Sequence, residues 1–194
     1  GRLEEVGWTE AFSQIVKRLK AIEGEKIAAL AGDLCDVESI YALKQLMKIL
    51  ASPNLDCRQD GAAIDPRVRA GYIFNTTIIG IEEADTCLLI GTNPRWEAPL
   101  INARLRKRWL TGELTVGQIG PSVNLTYEVA SLGVGPQTLQ KILDGSHDFA
   151  SNLRNAKCPM LILGQGALTR PDGMAILEAA RRISDDYNMV RENW

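Results

Sequence analysis

The sequence has little that would hold a metal ion. Among 194 residues there are four cysteines and one histidine, and no two cysteines form a Cys-x-x-Cys pair. Closely spaced Cys and His residues are the usual ligands of zinc and iron–sulfur sites. We therefore expect no metal site within this chain. Isolated thiols of this kind are typical of the reducing cytoplasm.

Long apolar runs and an excess of basic charge are also missing. The apolar runs extend over a few residues, whereas a membrane-spanning helix needs roughly 20, and the first residues lack the apolar core of a signal peptide. The formal net charge is -2, which gives no field that would attract nucleic acid. We predict no nucleic-acid partner and no direct membrane insertion. Because the first residue is not methionine, we expect the chain to be a piece of a longer protein.

Residues 86–108 predict a strand, a turn and a helix. The apolar run 86–90 is short and continuous, which favours a central parallel strand covered on both faces. Gly91 permits the turn, and Thr92 or Asn93 can cap the helix that follows. Further along the chain, apolar residues at spacings of four form the buried face of that helix: Ile101, Leu105 and Trp109.

The turn after this strand has two interpretations. In open α/β sheets such turns lie at the carboxyl edge, where backbone N–H groups and the helix dipole favour phosphate, and we expect the N–H groups of 92–95 and 164–167 to face that edge. A single Gly91 without a Gly-x-Gly-x-x-Gly pattern is weak evidence for a nucleotide. Gly164 and Gly166 supply half of that pattern after the apolar run 159–163, and close backbone packing explains them equally well. Both interpretations stay open.

Strand and helix patterns alternate along the whole chain, which predicts an α/β fold with three α/β/α layers and a doubly wound, mainly parallel sheet. We place the strands near Ile27, Leu88, Val116 and Ile162 at its centre, since each lies in an apolar run. Two helices before residue 51 are predicted to bury apolar faces, Trp8, Phe12, Ile15, Leu19 and Ile22 in the first and Val37, Ile40, Leu43, Met47 and Leu50 in the second.

Two further features carry weaker signals. Residues 51–72, with alternating charges that include Arg58, read as a long loop that is either functional, in contact with a partner, or simply solvated. His147 stands beside Asp148, and no Ser or Cys nucleophile is recognisable as its partner. We predict a surface position and no catalytic role for it.

Several motifs together resemble those of one family. The most specific run is Gly91-Thr92-Asn93-Pro94-Arg95, followed by Glu97-Ala98-Pro99. Further segments agree in the same order: Asn54-Leu55-Asp56-Cys57-Arg58, Asp65-x-Arg67, Tyr72-x-Phe74-Asn75, Leu125-Thr126-Tyr127 and Gly164-Gln165-Gly166-Ala167. Across nearly the whole chain the sequence resembles the large iron–sulfur subunit of respiratory complex I, which is the G subunit in bacteria and the 75 kDa subunit in mitochondria.

The resemblance implies that residues 1–194 are one fragment of the carboxyl-terminal domain of that subunit, with two sublobes, 1–130 and 131–194, as a finer division. That domain is related to molybdopterin oxidoreductases such as formate dehydrogenase. In those enzymes a Gly-x-Asn-Pro turn, matched here by Gly91 and Asn93, approaches a pyranopterin dinucleotide. The iron–sulfur clusters of the family would be bound upstream of this fragment.

Two departures from the enzymes bear on the cofactor. The region of Gly61, Ala62 and Ala63 offers no metal ligand where the enzymes have a cysteine or selenocysteine, and residues 119–122 replace a nucleotide-binding Asp-Pro-Arg sequence. We therefore expect no catalytic residue, no metal site and no bound cofactor. The candidates for a vestigial site are Gly91, Thr92, Asn93, Arg95, Gly164 and Gly166.

Three functions are compatible with these observations. The first is a non-catalytic scaffold domain in the peripheral arm of the proton-pumping NADH–quinone oxidoreductase. It would contact other peripheral-arm subunits at the cytoplasmic face of a bacterial inner membrane or on the mitochondrial matrix side. The second is the dinucleotide-binding domain of an active molybdopterin-dependent oxidoreductase, and the third is an unrelated nucleotide-binding or interaction module. In the scaffold, Arg95 would pair with Glu97, Asp65 or a partner's carboxylate in place of phosphate.

Overall fold

The computed structural model describes residues 2–32, 34–57, 60–192 and 194. The chain forms two compact units, Gly1–Asp60 and Gly61–Trp194. The finer division of the family domain into 1–130 and 131–194 stays a prediction. Arg58, part of the charged segment named above, lies outside the described residues. That segment is not entirely irregular, because a strand at Asn54–Asp56 and a 3-10 turn at Arg69–Gly71 lie within residues 51–72.

The first unit contains two helices and a small parallel sheet. Its elements are α1 (Trp8–Leu19), β1 (Ala28–Leu30), α2 (Val37–Ile49) and β2 (Asn54–Asp56). Strands β1 and β2 pair in parallel, with Ala28 opposite Asn54 and Leu30 opposite Asp56. The carboxylate of Asp36 accepts the N–H of Ser39 at 2.7 Å and so caps α2.

Two predictions for the first unit are wrong, and a third is confirmed in part. The strand near Ile27 is not central to a large sheet, because β1 pairs with β2 in a sheet of two strands. The apolar stripe of α1 is exposed, with Trp8 79% and Phe12 58% accessible. The face predicted for α2 is largely turned inward, since Met47 is buried and Ile40, Leu43 and Leu50 are half-buried, whereas Val37 is 78% exposed. A sheet of two short strands offers little apolar surface, and the local sequence pattern does not reveal the size of a sheet.

The second unit is built on a four-stranded sheet in which all strands are parallel. The strands are β3 (Thr86–Ile90), β4 (Thr115–Ile119), β5 (Ala130–Gly133) and β6 (Pro159–Leu163), in the order β5-β4-β3-β6. Every residue of β3 is buried. The predicted central positions of the strands around Leu88 and Val116 agree with this order, whereas the strand around Ile162 lies at an edge of the sheet.

Helices cover both faces of this sheet. The helices of this unit are α3 (Thr77–Gly80), α4 (Pro94–Glu97), α5 (Pro99–Leu110), α6 (Pro136–Leu143), α7 (Phe149–Asn155), α8 (Gln165–Leu168) and α9 (Gly173–Asp186), of which α5 packs on one face and α6, α7 and α9 pack on the other. Alternate β3 side chains enter different cores, since Leu88 packs with residues of α6, α7 and α9, whereas Leu89 packs with Leu105 of α5. The predicted α/β fold with parallel strands between helical layers is confirmed. Within the described residues, no helix has the length and apolarity needed to cross a bilayer.

His147 is not a surface residue as predicted. Its side chain is half buried, and its Nδ1 accepts the backbone N–H of Phe149 at 3.1 Å. That bond places the ring proton on Nε2, which lies 3.1 Å from the carbonyl oxygen of Leu132 and donates to it. His147 therefore links the start of α7 to β5, a structural role that depends on a residue distant in sequence.

Candidate functional site at the carboxyl edge of the sheet

Three turns meet where strands β3, β4 and β6 end. Each strand is followed by a glycine, namely Gly91, Gly120 and Gly164. The N–H of Gly91 donates to the carbonyl oxygen of Ile119 at 2.9 Å, and the N–H of Gly164 donates to that of Ile90 at 2.8 Å. The ladder of the sheet thus continues into the turns and holds them side by side.

Two of these glycines are required by close backbone packing. A Cβ atom on Gly164 would lie 2.2 Å from the carbonyl oxygen of Gly91, and one on Gly91 would lie 2.7 Å from the Cβ of Ala167. Gly91 also has a φ of +57°, a conformation that favours glycine. Gly166 differs, because a Cβ there would be 3.6 Å from the nearest atom. Close packing therefore explains Gly91 and Gly164 without a ligand.

A carboxylate of the chain itself occupies the donors of the turn after β3. The side chain of Glu97 accepts the N–H of Asn93 at 2.5 Å and the hydroxyl of Thr92 at 3.2 Å. The side chain of Asn93 makes no capping hydrogen bond to α4. The sequence pattern favoured Thr92 or Asn93 as the cap and did not point to Glu97. The available signal was a carboxylate in the first turn of the helix, as in a capping box.

The N–H groups expected to face a ligand are largely engaged. Asn93 donates to Glu97, and Pro94 has no N–H to offer. At the other turn, Gly164 donates to Ile90, and Ala167 donates to the carbonyl oxygen of Gly164 at 3.1 Å. The N–H groups of Asn93, Gly164 and Ala167 are therefore already bonded within the chain, and the expectation that the N–H groups of 92–95 and 164–167 face the carboxyl edge stays a prediction.

Arg95 does not pair with Glu97 or Asp65, contrary to the hypothesis above. Its guanidinium donates to the carbonyl oxygen of Asn124 at 3.2 Å. Asp65 is already held by Arg67, whose Nε and Nη2 donate to the two carboxylate oxygens at 2.8 and 3.0 Å. Hydrogen bonds from the Arg67 side chain lower the pKa of Asp65 to about 2. Pairing of Arg95 with a partner's carboxylate stays a prediction.

A cavity of about 430 Å³ lies beside these turns. Its lining is mostly apolar and includes Ile90, Ile119, Val134, Leu139 and Ile176. Thr92, Asn93, Glu97 and Gln118 also line it. Among the described residues, the Asn93 Oδ1 atom is the buried side-chain oxygen that has no hydrogen-bond partner. Arg170, which also lines the cavity, donates to both carboxylate oxygens of Asp172, at 2.7 and 2.9 Å. The cavity therefore presents the free Oδ1 of Asn93 and the carboxylate of Glu97, whereas the guanidinium of Arg170 is already paired with Asp172.

The other positions singled out in the sequence form no metal site. At the region of Gly61 to Ala63, the N–H of Ala63 donates to the carbonyl oxygen of Leu168 at 3.0 Å. Across residues 2–32, 34–57, 60–192 and 194, no group of three His, Cys, Asp or Glu side chains could hold a metal ion.

Comparison with known proteins agrees with the parallel α/β fold. The family model of the molybdopterin oxidoreductases matches residues 1–194, and the chain belongs to that family. Within it, the chain is 42% identical to the G subunit of NADH-quinone oxidoreductase from Rickettsia prowazekii (strain Madrid E). It is 41% identical to the same subunit from Rickettsia typhi and from Rickettsia felis. Each comparison covers the whole chain and 29% of the relative, so the chain spans less than a third of their length. The resemblance to the G subunit seen in the motifs is confirmed.

Proposed function

We propose that this chain forms part of the G subunit of a proton-pumping NADH–quinone oxidoreductase and acts there as a scaffold domain without chemistry of its own. The identity to that subunit over the whole chain supports the membership. The observation that carries the non-catalytic role is the Glu97 carboxylate bound to Asn93 and Thr92.

A pyranopterin dinucleotide does not fit the residues present. Its phosphate groups would meet the negative charge of Glu97 and would have to displace it from the Asn93 N–H. The turns of Gly91 and Gly164 are in backbone contact, so nothing can be inserted between them. The region of Gly61 to Ala63 supplies no side chain that could bind a metal.

The scaffold role implies particular surroundings. The chain would lie in the peripheral arm, at the cytoplasmic face of the bacterial inner membrane or on the matrix side in mitochondria. Its partners would be other peripheral-arm subunits. The iron–sulfur clusters of the parent subunit would be bound by other parts of the polypeptide, so electron transfer would not pass through this fold.

A second candidate is the dinucleotide-binding domain of an active molybdopterin-dependent oxidoreductase. The cavity of about 430 Å³ at the carboxyl edge favours it, as does the unpaired Oδ1 of Asn93. A bound ligand with a donor group would satisfy that oxygen. We rank this function second because Glu97 and the paired Arg170 make the cavity unfavourable for phosphate.

Purification of the full-length protein from its own cells, followed by metal and pterin analysis, tests the proposal. We expect it to migrate with the subunits of NADH–quinone oxidoreductase and to contain no molybdenum and no pterin. Cells that carry Asn93→Ala should keep their NADH–quinone reductase activity, because the turn binds no cofactor. Stoichiometric pterin and molybdenum, with loading reduced by Asn93→Ala, would overturn the scaffold role and favour the second candidate.

A further inference from the structure

Helix α5 has a buried face and an exposed face on which two leucine side chains lie among cations. Leu105 is fully buried and Asn102 is 7% exposed, so this side packs on the sheet. The opposite side carries Leu100 and Leu110, which are 74% and 60% exposed. A surface helix normally presents polar residues to water on that side. Leu100 and Leu110 are therefore largely uncovered by the described residues of the chain.

Helix α4 extends this exposed region with an aromatic and a cationic residue. Trp96 is 78% exposed, and Arg95 is exposed beside it in sequence. Helices α4 and α5 are separated by Ala98 alone and contact each other. Trp and Arg are the residue types that contribute most to binding at protein interfaces.

The charges of this region are not balanced by its own carboxylates. Glu82 is occupied by Arg104 and by Lys107, the latter at 2.6 Å. Glu113 is occupied by Arg108. Together with Glu97, which binds the Asn93 N–H, these are the carboxylates that the two helices and their ion pairs use.

Two guanidinium groups remain without a carboxylate. Within the described parts of the chain, Arg106 makes no ion pair, and Arg95 bonds only the carbonyl oxygen of Asn124. An arginine on a protein surface binds carboxylates well because its planar donors match their geometry. The region is therefore locally positive although the chain as a whole has a net charge of -2.

We propose that these residues form a docking surface for an acidic segment of a neighbouring protein subunit. The α4–α5 surface is defined by Arg95, Trp96, Leu100, Arg106 and Leu110. Carboxylates of the partner bind the two free guanidinium groups, and an apolar side chain between them packs on Trp96 and Leu100. The inference rests on the proposed function, since a subunit of a larger complex has neighbours to bind, and it adds the position and the chemistry of one contact.

A protein partner fits this surface better than an anionic polymer or a lipid. Nucleic acid is bound through many phosphate contacts along a basic stripe, and recruitment to anionic lipid uses clusters of about 4–8 basic residues. The α4–α5 surface has two free cations and exposed side chains of Trp and Leu. That composition is typical of the centre of a protein–protein interface.

The test places a photo-crosslinking amino acid at Leu100 of the full-length protein in its own cells. Met174, which is 58% exposed near the start of α9, is the control position. We expect irradiation to join Leu100, and not Met174, to a peptide of another subunit of the complex that contains Asp or Glu. Arg106→Glu should reduce this product about tenfold, as the loss of an interfacial charge pair would. Arg182→Glu, a charge reversal on an exposed residue of α9, should leave it unchanged.

The outcomes separate this inference from the proposed function. Suppose that the protein migrates with the complex but that Leu100 gives no crosslinked product. The docking surface is then refuted and the scaffold role stands. The same holds if Leu100 is joined to a peptide without carboxylates, a second copy of the protein, lipid or nucleic acid. If the protein is absent from the complex, the proposed function fails. In that case an acidic product at Leu100 that is sensitive to Arg106→Glu would still support the docking surface, and its absence would overturn it.

Discussion

The backbone of Gly91 passes so close to Gly164 that a Cβ atom on Gly164 would lie 2.2 Å from the Gly91 carbonyl oxygen. Real Cβ atoms do not approach an oxygen that closely, and the atom in the way belongs to the backbone, which cannot rotate aside. The turns after β3 and β6 are therefore packed directly on each other. This contact is a sufficient cause for Gly91 and Gly164, whereas Gly166 is not required by it.

Substitution of the two neighbouring glycines of the β6 turn should have different effects. Gly164→Ala introduces the clash with Gly91 and should lower the free energy of unfolding by about 1–3 kcal/mol or more. Gly166→Ala places its Cβ 3.6 Å from the nearest atom, within α8, and should be neutral or slightly stabilising. Urea unfolding of both variants measures the difference. Similar losses for the two would show that the contact is not tight.

Truncation of Leu89 should be costly because its side chain is completely buried between the sheet and α5. Leu89→Ala removes buried apolar surface and leaves a cavity, and we expect a loss of about 2–5 kcal/mol. Leu100→Ala is the matched control, because Leu100 is 74% exposed and should change stability by less than about 0.5 kcal/mol. Denaturant midpoints decide, and a small effect at Leu89 would contradict the position of β3 at the centre of the sheet.

The structural role of His147 predicts a measurable effect on stability. His147→Ala leaves the N–H of Phe149 and the carbonyl oxygen of Leu132 without their partner, which should cost about 1–2 kcal/mol. His147→Asn keeps a short side chain with an acceptor oxygen and should recover part of the loss. Thermal unfolding of the three proteins provides the comparison. A surface histidine, as the sequence suggested, would give no difference among them.

Asp65 should make the free energy of unfolding depend on pH in the acid range. The hydrogen bonds from Arg67 lower its pKa from 3.8 to about 2 in the folded protein. A carboxyl group whose pKa is lower in the folded protein stabilises the fold in full at pH values above its unfolded-state pKa. This contribution is lost as the pH falls through its folded-state pKa. Between about pH 5 and pH 2 the wild type should therefore lose more stability than Asp65→Asn. Urea midpoints at both pH values test this, and parallel losses would mean that the ion pair does not form.

The strand at the centre of the sheet was predictable because burial on two sides leaves a continuous apolar run, and residues 86–90 show one. The strand near Ile27 has a similar run but belongs to a sheet of two strands, and a local pattern does not say how many strands lie beside it. The candidate site was predictable in position, since Gly91 and Gly164 mark the ends of β3 and β6. The chemistry of the site was not predictable from the sequence. The direction of the Glu97 side chain and the bond of Arg95 to Asn124 depend on the folded chain.

Glu97 should stabilise its turn as a cap. Glu97→Ala frees the N–H of Asn93 and the hydroxyl of Thr92, and we expect a loss of about 0.5–2 kcal/mol, as for other helix caps. Glu97→Gln keeps an acceptor oxygen and should lose less. Glu113→Ala, which removes an exposed ion pair with Arg108, is the control and should cost about 0–1 kcal/mol. Hydrogen exchange at the Asn93 amide should be slow in the wild type, intermediate in Glu97→Gln and fast in Glu97→Ala. If the exchange rate at Asn93 is the same in all three, the carboxylate does not hold this donor, and the strongest argument against a bound dinucleotide is lost.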